Sequence, residues 1–205
     1  MLNARHLYTL LLWLALPYAF FHLLWRARRQ PEYLRHVGER FGFFPLRSTK
    51  PVIWLHTVSV GETRAAAKLV QRLLDTHPDH QLLLTHTTPT GRAASEQLYG
   101  DRVLRVYLPY DYPFAVRRFL RHFQPKVGVL LETEIWFNLI HLCRAKRVPL
   151  LLLNARLSEK SAARYARYPR LIKGALKALA GIAAQTQADA DRLSALGAPQ
   201  VSVMG

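Results

Sequence analysis

The sequence predicts an α/β fold: a Rossmann-like parallel sheet flanked by helices, preceded by an N-terminal membrane-anchor helix. From residue 51 onward, short apolar runs alternate with segments of helical spacing, which is the pattern of repeated βαβ units. Runs such as VGVLL (127–131) are apolar at every position, as expected for strands buried on both faces of a parallel sheet. Near the N-terminus, 19 consecutive residues include no Asp, Glu, Lys or Arg, and this stretch predicts the anchor.

The predicted anchor is the uncharged stretch at residues 7–25. A helix of this length approaches the thickness of the hydrocarbon core of a bilayer. A secretory signal peptide is the alternative, but the basic region before the stretch is short and no small-residue cleavage site follows it. Pro17 and His22 leave open a helix that enters only one leaflet. Three arginines follow the stretch and one precedes it, so residues 1–29 form an anchor and a basic flank that keeps the rest of the chain in the cytoplasm.

The chain is strongly basic, with 29 Lys and Arg residues against 13 Asp and Glu residues and a formal net charge of +16. Such a protein attracts phosphate groups on nucleic acid, nucleotides or anionic lipid, and charge alone does not choose among them. Residues 30–50 are basic and contain glycine and proline, so we predict a juxtamembrane segment without a long regular helix. The single cysteine, Cys143, lies in a predicted helix and is interpreted as core filler.

Residues 51–205 are long enough for one well-buried α/β domain. The predicted strands cover residues 52–57, 81–86, 103–108, 127–131, 149–154, 181–184 and 201–204. In such a sheet the carboxyl ends of the strands share one edge, and ligands bind in the crevice above that edge. The residues that follow each strand are therefore the candidates for a functional site.

The turn after the first strand is the leading candidate. In PVIWLHTVSVGETR (51–64), the tight turn VSVG leads into a helix that is predicted to begin at Glu62. Ser59, Gly61 and the backbone N–H groups of the turn would then face the crevice together with the Glu62 carboxylate. The structural alternative is that this carboxylate caps the helix and complements its dipole.

The second strand ends in THTTPTG (85–91), and a helical segment follows. Thr88, Thr90 and Gly91 bring hydroxyl and N–H groups to the crevice, where an anion could bind. Alternatively, Thr88 or Thr90 simply caps the helix, with Pro89 near its start. The segment lacks the spacing of a Walker P-loop, and the chain contains no dinucleotide-binding fingerprint.

Two acidic residues, Glu132 and Glu134, directly follow the fourth strand, and their position favours acid/base chemistry. The alternative is that one of them caps a helix beginning near Ile135 while the other pairs with an arginine. Arg156 follows the fifth strand. Its guanidinium could bind a phosphate, or it could form a weak surface pair with Glu159.

The third strand ends with Tyr107, Tyr110 and Asp111, which are expected at the same crevice. The histidines are scattered along the chain, and His56, beside the central turn, is interpreted as a packed or hydrogen-bonded core residue. No cluster of His, Cys and carboxylate residues has the spacing of a metal site, so the sequence predicts no metal.

Five segments occur in the order of a known family's pattern: HTVSVGE (56–62), THTTPTG (85–91), YLPYD (107–111), ETEIW (132–136) and NARLS (154–158). Each is short enough to recur by chance, but five in order on a strand–helix background are specific. The chain resembles the N-terminal half of the Kdo transferases, bacterial glycosyltransferases that add 3-deoxy-manno-octulosonic acid to the lipid A precursor. The family pattern usually has proline where Phe137 stands, and this departure concerns the local loop shape.

The resemblance implies an inverting GT-B glycosyltransferase of lipopolysaccharide biosynthesis, located at the cytoplasmic face of the bacterial inner membrane. Residues 51–205 would be its acceptor-binding half. The acceptor would be a lipid A precursor and the donor CMP-Kdo, bound mainly by a C-terminal donor domain that these residues do not include; no cofactor is implied. Direct displacement needs a general base, for which Glu62 is our choice, with Glu132 and Glu134 as second candidates.

The acceptor-binding residues that the resemblance implies are Ser59, Gly61, Thr88, Thr90, Gly91 and Arg156. Without a positioned donor, the chain alone is expected to be inactive. Nucleic acid is not an expected partner. The alternative from another functional class is a non-catalytic, membrane-anchored basic module that binds anionic lipid or nucleic acid. Three acids at strand ends argue against a simple polyanion-binding surface.

Overall fold

The computed structural model describes residues 4–204 and contains a seven-stranded parallel sheet in the order β3-β2-β1-β4-β5-β6-β7. The predicted α/β class is confirmed. The strands are β1 (Val52–His56), β2 (Gln81–His86), β3 (Leu104–Tyr107), β4 (Val127–Leu131), β5 (Leu150–Ala155), β6 (Gly181–Ala184) and β7 (Ser202–Val203). The helices are α1 (Ala4–Arg29), α2 (Val60–Ala65), α3 (Ala67–Thr76), α4 (Pro89–Tyr99), α5 (Pro113–Phe123), α6 (Phe137–Ala145), α7 (Glu159–Ala166), α8 (Pro169–Leu176) and α9 (Gln187–Ala195).

The strand order reverses between β1 and β4. β1 pairs with β2 on one side and with β4 on the other, with His56 of β1 opposite Leu130 of β4. Successive strands then extend the sheet in opposite directions from this pair. A crevice opens outside the carboxyl ends of the strands at such a switch point, and α/β proteins commonly bind ligands there. The turn after β1 and the loop after β4 form its two sides.

Several predicted element ends differ from the observed ones by one or two residues. β3, β5 and β7 are offset or shorter than predicted, and β5 has an irregularity in its pairing with β6 between Leu152 and Ala155. α2 begins at Val60, two residues before the predicted start, because Ser59 caps it. The helix predicted to begin near Ile135 begins at Phe137.

Two apolar cores cover the two faces of the sheet. One contains Trp54 and Phe119, whose ring centroids lie 5.0 Å apart, and the other surrounds Leu55 and Leu84. The Trp54 indole lies across β4 at Gly128, where a Cβ atom would come within 2.5 Å of the ring. The Trp54 Nε1–H donates to Thr85 Oγ1 at 2.8 Å, so the buried ring leaves no unsatisfied donor. Cys143 is fully buried in the first core, as predicted.

The basic segment at residues 30–50 contains no long helix, as predicted, and forms two short 3₁₀ turns, Pro31–Leu34 and Val37–Phe41. Glu39, in the second turn, is buried and accepts hydrogen bonds from the Tyr107 N–H and from Arg92 Nη1, each at 2.7 Å. Arg40 is also buried, with its guanidinium 4.0 Å from the centre of the Tyr107 ring. The segment therefore packs against the end of β3.

The N-terminal helix α1 is long and apolar enough to cross a membrane, judged by length and composition, and most of its side chains are exposed. Its first half nevertheless contacts the domain. The Tyr8 hydroxyl donates to Asp111 Oδ2 at 3.0 Å, and the Tyr112 hydroxyl donates to the Leu12 carbonyl at 2.7 Å. Asn138 Oδ1 accepts from Thr9 Oγ1 at 3.0 Å. These contacts fix the start of α1 beside α5 and α6.

Candidate active site

Three carboxylates meet at the switch point of the sheet. Glu62 lies in the first turn of α2, after β1, while Glu132 and Glu134 lie in the loop after β4. Their charges interact: the Glu132 carboxylate raises the pKa of Glu62, and the Glu62 carboxylate raises the pKa of Glu134. Like charges gathered at one site shift pKa values upward, and such shifts mark candidate functional sites.

Glu62 is held in place by two hydrogen bonds to the turn that precedes it. Its Oε2 accepts from the Val58 N–H at 2.6 Å, and its Oε1 accepts from the Ser59 hydroxyl at 2.9 Å. The Ser59 Oγ in turn accepts from the Glu62 N–H at 3.3 Å, which makes Ser59 the N-cap of α2. This arrangement is close to a capping box, with the Val58 N–H, one residue before the N-cap, as the backbone donor to the carboxylate, so Glu62 does have the structural role considered for it at the helix start.

The capping role leaves Glu62 able to act as a base. The residue is 8% exposed, and burial is the main cause that raises its pKa, opposed by the Val58 N–H and the Ser59 hydroxyl. A carboxylate has about four lone-pair positions, and the two hydrogen bonds occupy two of them. A carboxylate with a raised pKa and free lone pairs is a stronger proton acceptor than an ordinary glutamate.

The two acids of the β4 loop do not have the structural roles considered for them, which were helix capping and pairing with an arginine. Within residues 4–204, neither Glu132 nor Glu134 caps α6 or forms an ion pair with an arginine. The pKa of Glu134 is raised to about 7, first by burial and then by the charge of Glu62. Glu134 is therefore partly protonated near neutral pH.

Asp111 supplies the cap of α6 instead. Its carboxylate accepts hydrogen bonds from the backbone N–H groups of Asn138 at 3.0 Å and Leu139 at 2.8 Å. The residue is buried, and burial raises the pKa of its carboxyl to about 6 in spite of these bonds. Asp111 therefore ties the end of the β3 loop to α6, and it also accepts from Tyr8 of α1. Its contacts are structural and do not reach the three glutamates.

The THTTPTG segment forms the start of α4, where Thr88 is the N-cap. Thr88 Oγ1 accepts from the Gly91 N–H at 3.1 Å and donates to the Val58 carbonyl at 3.0 Å. The hydroxyl of Thr88 thus joins the two turns that border the crevice. A Cβ atom on Gly91 would lie 2.9 Å from the Val58 oxygen, so glycine is needed for this close approach. Thr90 is exposed, and its hydroxyl donates to Thr88 Oγ1 at 3.3 Å.

Gly61 differs from Gly91 in that no close approach among residues 4–204 requires glycine there. A Cβ atom at Gly61 would meet only the Ser59 Oγ, at an ordinary distance of 3.7 Å. Glycine within a helix destabilises it by about 1 kcal/mol relative to alanine. The exposed backbone at this position, next to Glu62, leaves room for a ligand to approach closely.

The loops after β4 and β5 contain two residues with left-handed backbone angles. Glu132 has a φ of 59° and Asn154 a φ of 53°. Such conformations are uncommon for residues other than glycine, and they cluster at functional sites. Thr133 connects the two loops, because its hydroxyl donates to the Arg156 carbonyl and accepts from the Arg156 N–H at 3.0 Å.

Arg156 presents its side chain to solvent. Glu159, the partner considered for it, pairs with Arg192 at 3.0 Å, so the predicted surface pair is not observed. The structure thus places Glu62, Glu132 and Glu134 together, and Arg156 belongs to a loop that is hydrogen-bonded to theirs.

The two histidines at the ends of β1 and β2 are buried. His56 contacts the Thr85 oxygens through Nδ1 at 2.9 and 3.0 Å, and burial lowers its pKa to about 4. Burial and the charge of His56 lower the pKa of His86 to about 3. Both rings are neutral at physiological pH, which fits the core role predicted for His56. Among residues 4–204, no group of three or more His, Cys, Asp or Glu side chains could hold a metal ion.

Two neighbours of the crevice were missed by sequence reasoning. The buried Arg40 donates from Nη2 to the Thr87 carbonyl at 3.1 Å and thereby supports the turn before Thr88. Tyr165, on α7, lies near enough to Glu134 for that charge to raise the pKa of the phenol, although burial is the larger cause. Neither residue lies at the end of a strand, the position from which the sequence predicts site residues.

Comparison with known proteins identifies the family. The family model described as "3-Deoxy-D-manno-octulosonic-acid transferase (kdotransferase)" matches residues 35–205, a range that includes the 3₁₀ turn with Glu39 and Arg40. A crystal structure of MurG from Acinetobacter baumannii covers 76% of this chain and 67% of its own, with 13% identity and a TM-score of 0.41.

Curated relatives named 3-deoxy-D-manno-octulosonic acid transferase match nearly the whole chain. The Bordetella pertussis protein is 40% identical over 98% of this chain and 49% of its own length. The Haemophilus influenzae protein is 36% identical over 96% of this chain and 46% of its own length. This chain thus spans about half the length of these relatives. On the family match and these identities, it belongs to the 3-deoxy-D-manno-octulosonic-acid transferase family.

Proposed function

We propose that this chain provides the acceptor-binding half and the general base of an inverting Kdo transferase that acts on a lipid A precursor. The observation that carries the proposal is the Glu62 carboxylate. It is buried, has a raised pKa, and is held at the switch point beside Glu132 and Glu134. The identity of the transferred sugar is inferred from the names of the relatives.

The proposed step is a single displacement. The oxygen of an acceptor sugar hydroxyl attacks the anomeric carbon of the Kdo unit while the bond from that carbon to the phosphate oxygen of CMP-Kdo breaks. The hydroxyl proton passes to Glu62, the electron pair of the broken bond leaves with CMP, and the configuration inverts. Proton removal by a positioned base contributes about 100- to 10,000-fold in rate. Fixing Glu62 by the Val58 N–H and the Ser59 hydroxyl keeps it oriented for that transfer.

The acceptor is proposed to lie across the starts of α2 and α4. Gly61 leaves space there, and Thr90 presents an exposed hydroxyl. Arg156 is exposed beside the β4 loop and would bind an acceptor phosphate. The apolar helix α1 and the net charge of +16 suit a protein that meets an anionic lipid at the cytoplasmic face of the inner membrane.

The test compares Kdo transfer by this chain alone with transfer by the chain joined to the part of a relative that it does not span. We define the fusion enzyme as residues 1–205 joined to the part of the Bordetella pertussis relative that they do not span. With CMP-Kdo and the lipid acceptor, the fusion enzyme is expected to transfer Kdo, while the chain alone is expected to bind acceptor without measurable transfer. Robust transfer by the chain alone would contradict the assignment of donor binding to another half, because it would mean that these residues position CMP themselves.

A further inference from the structure

Two cavities lie side by side where α1 meets the domain. One, of about 510 Å³, lies between α1, α6 and α8. The other, of about 500 Å³, lies between α1, α7 and α8. They share Phe137, Arg170 and Leu171 as lining residues, and we call the two adjacent cavities together the α1–α8 groove.

The first part of the groove is cationic. Its charged or titratable lining residues are Arg5, His141, Arg144 and Arg170, and no described residue that lines either cavity is acidic. Arg5 is engaged with Asn138 Oδ1 at 3.3 Å, and Arg144 donates to the Lys177 carbonyl at 3.3 Å. Neither Arg144 nor Arg170 forms an ion pair with a carboxylate among residues 4–204. This end of the groove therefore attracts an anion.

The second part of the groove is apolar. Its lining includes Leu7 and Leu11 of α1, which are 51% and 55% exposed, and Tyr168, which is 62% exposed. Exposed apolar surface of this kind, rimmed by arginines, is typical of a contact with lipid or with another apolar surface. The cationic character of one end and the apolar character of the other match an amphiphile with an anionic head and an acyl chain.

The contacts of α1 place the groove at the membrane boundary. The hydrogen bonds of Tyr8 and Thr9 to the domain fix the first turns of α1 against α6, whereas Leu14 and Tyr18, further along, are 70% and 72% exposed. Exposed apolar surface of this extent suits contact with lipid, and a groove beneath the docked end of such a helix would face the zone where headgroups meet acyl chains.

We propose that the α1–α8 groove binds one anionic phospholipid of the surrounding bilayer, with its phosphate between Arg144 and Arg170 and an acyl chain along Leu7 and Leu11. The position of the cationic end favours the bilayer lipid over the acceptor. α6 begins at the carboxyl edge of the sheet with Phe137, and Arg144 lies seven residues later, about 10 Å further along the helix axis. A phosphate held there would lie away from Glu62. The inference does not depend on the proposed reaction.

The experiment measures lipid retention by the full chain purified in detergent, using native mass spectrometry. Dioleoyl-phosphatidylglycerol is the anionic probe, and dioleoyl-phosphatidylcholine is the neutral comparison. We expect one phosphatidylglycerol per chain in clear preference to phosphatidylcholine. The double substitution Arg144→Gln and Arg170→Gln is expected to weaken retention of phosphatidylglycerol by about 30-fold, the factor that two basic groups near an anionic lipid surface contribute.

The control removes the same charge from the other face of the sheet, with Lys68→Gln and Arg72→Gln on the exposed side of α3. It should retain phosphatidylglycerol as the unsubstituted chain does. If the first double variant does not fold, Arg170→Gln alone serves, because the exposed Arg170 side chain forms no hydrogen bond or ion pair within residues 4–204. Equal losses in both double variants, or equal retention of the two lipids, would overturn the proposal. Displacement of phosphatidylglycerol by an equimolar lipid A precursor would overturn the choice of a bilayer phospholipid.

Discussion

Ser59 and Glu62 cap each other at the start of α2. The Ser59 hydroxyl donates to Glu62 Oε1 at 2.9 Å, and the Glu62 N–H donates to Ser59 Oγ at 3.3 Å. One short turn thus begins the helix and also orients the proposed base. The two roles can be measured separately, because beginning the helix affects stability, whereas the hydrogen bond to the carboxylate affects the pKa of Glu62.

Ser59→Ala should therefore have two effects. Loss of the N-cap should lower the free energy of unfolding by about 1 kcal/mol. Loss of the hydroxyl that lowers the pKa of Glu62 should raise that pKa, so the acid limb of the pH profile of kcat/KM should move to higher pH in the fusion enzyme. Chemical denaturation and a pH–rate series measure the two effects.

Thr186→Ala is the matched control for this prediction. Thr186 caps α9 in the same way, donating to Asp189 Oδ2 at 2.6 Å and accepting from the Asp189 N–H at 3.2 Å. It should lose a similar amount of stability while leaving the pH profile unchanged. If the pH profile is unchanged in both variants, the titration of Glu62 does not produce the acid limb.

Glu132→Gln should move the acid limb in the opposite direction. The Glu132 charge raises the pKa of Glu62, so its removal should lower that pKa and preserve transfer at more acidic pH. Glu159→Gln, which removes a carboxylate that pairs with Arg192, should leave the limb in place. A shift to higher pH after Glu132→Gln would contradict the charge coupling.

Glu134 should make the folded chain less stable as pH rises. Burial and then the charge of Glu62 raise its pKa from an ordinary 4.5 to about 7, so the folded state binds more protons across that window and loses stability as pH increases through it. Glu134→Gln should remove the contribution of Glu134 to this dependence, leaving those of Glu62 and Asp111, and should be more stable than the unsubstituted chain at about pH 8. Denaturation series across the window test this. Glu96→Gln, on the exposed side of α4, should not alter the slope.

Gly61→Ala and Gly91→Ala should have different effects on the free energy of unfolding. A Cβ atom at Gly61 meets only Ser59 Oγ at 3.7 Å, so alanine should leave stability unchanged or raise it by up to about 1 kcal/mol. At Gly91 the Cβ atom would lie 2.9 Å from the Val58 oxygen, and alanine should destabilise the chain. If the acceptor occupies the space at Gly61, Gly61→Ala should also reduce transfer by the fusion enzyme. Full transfer by that variant would exclude close acceptor contact there.

The parts of this fold that sequence reasoning predicted are those that local pattern determines. Continuous apolar runs predicted the strands, and the residues after β1 and β4 predicted that Glu62, Glu132 and Glu134 would meet. The start of α2 was misplaced by two residues, because the capping serine was interpreted as part of the crevice and not as the helix boundary.

The parts that were missed depend on contacts between residues far apart in sequence. Asp111 caps α6 from 28 residues before Leu139, and Glu39 accepts from the Tyr107 N–H across 68 residues. Neither partner has a local signal, since an acidic residue after a strand or within a basic segment fits several roles. The same limit applies to the groove under α1, which exists only once Tyr8 and Asp111 meet.

The central claim is that Glu62 is the general base, and the most direct test is the transfer rate of the fusion enzyme carrying Glu62→Gln. Glutamine keeps the shape of the side chain and removes its basicity, so transfer should fall by about 100- to 10,000-fold while acceptor binding and the unfolding transition stay close to those of the unsubstituted enzyme. Glu96→Gln serves as the control for an exposed glutamate. Near-normal turnover by the Glu62→Gln enzyme would contradict the assignment.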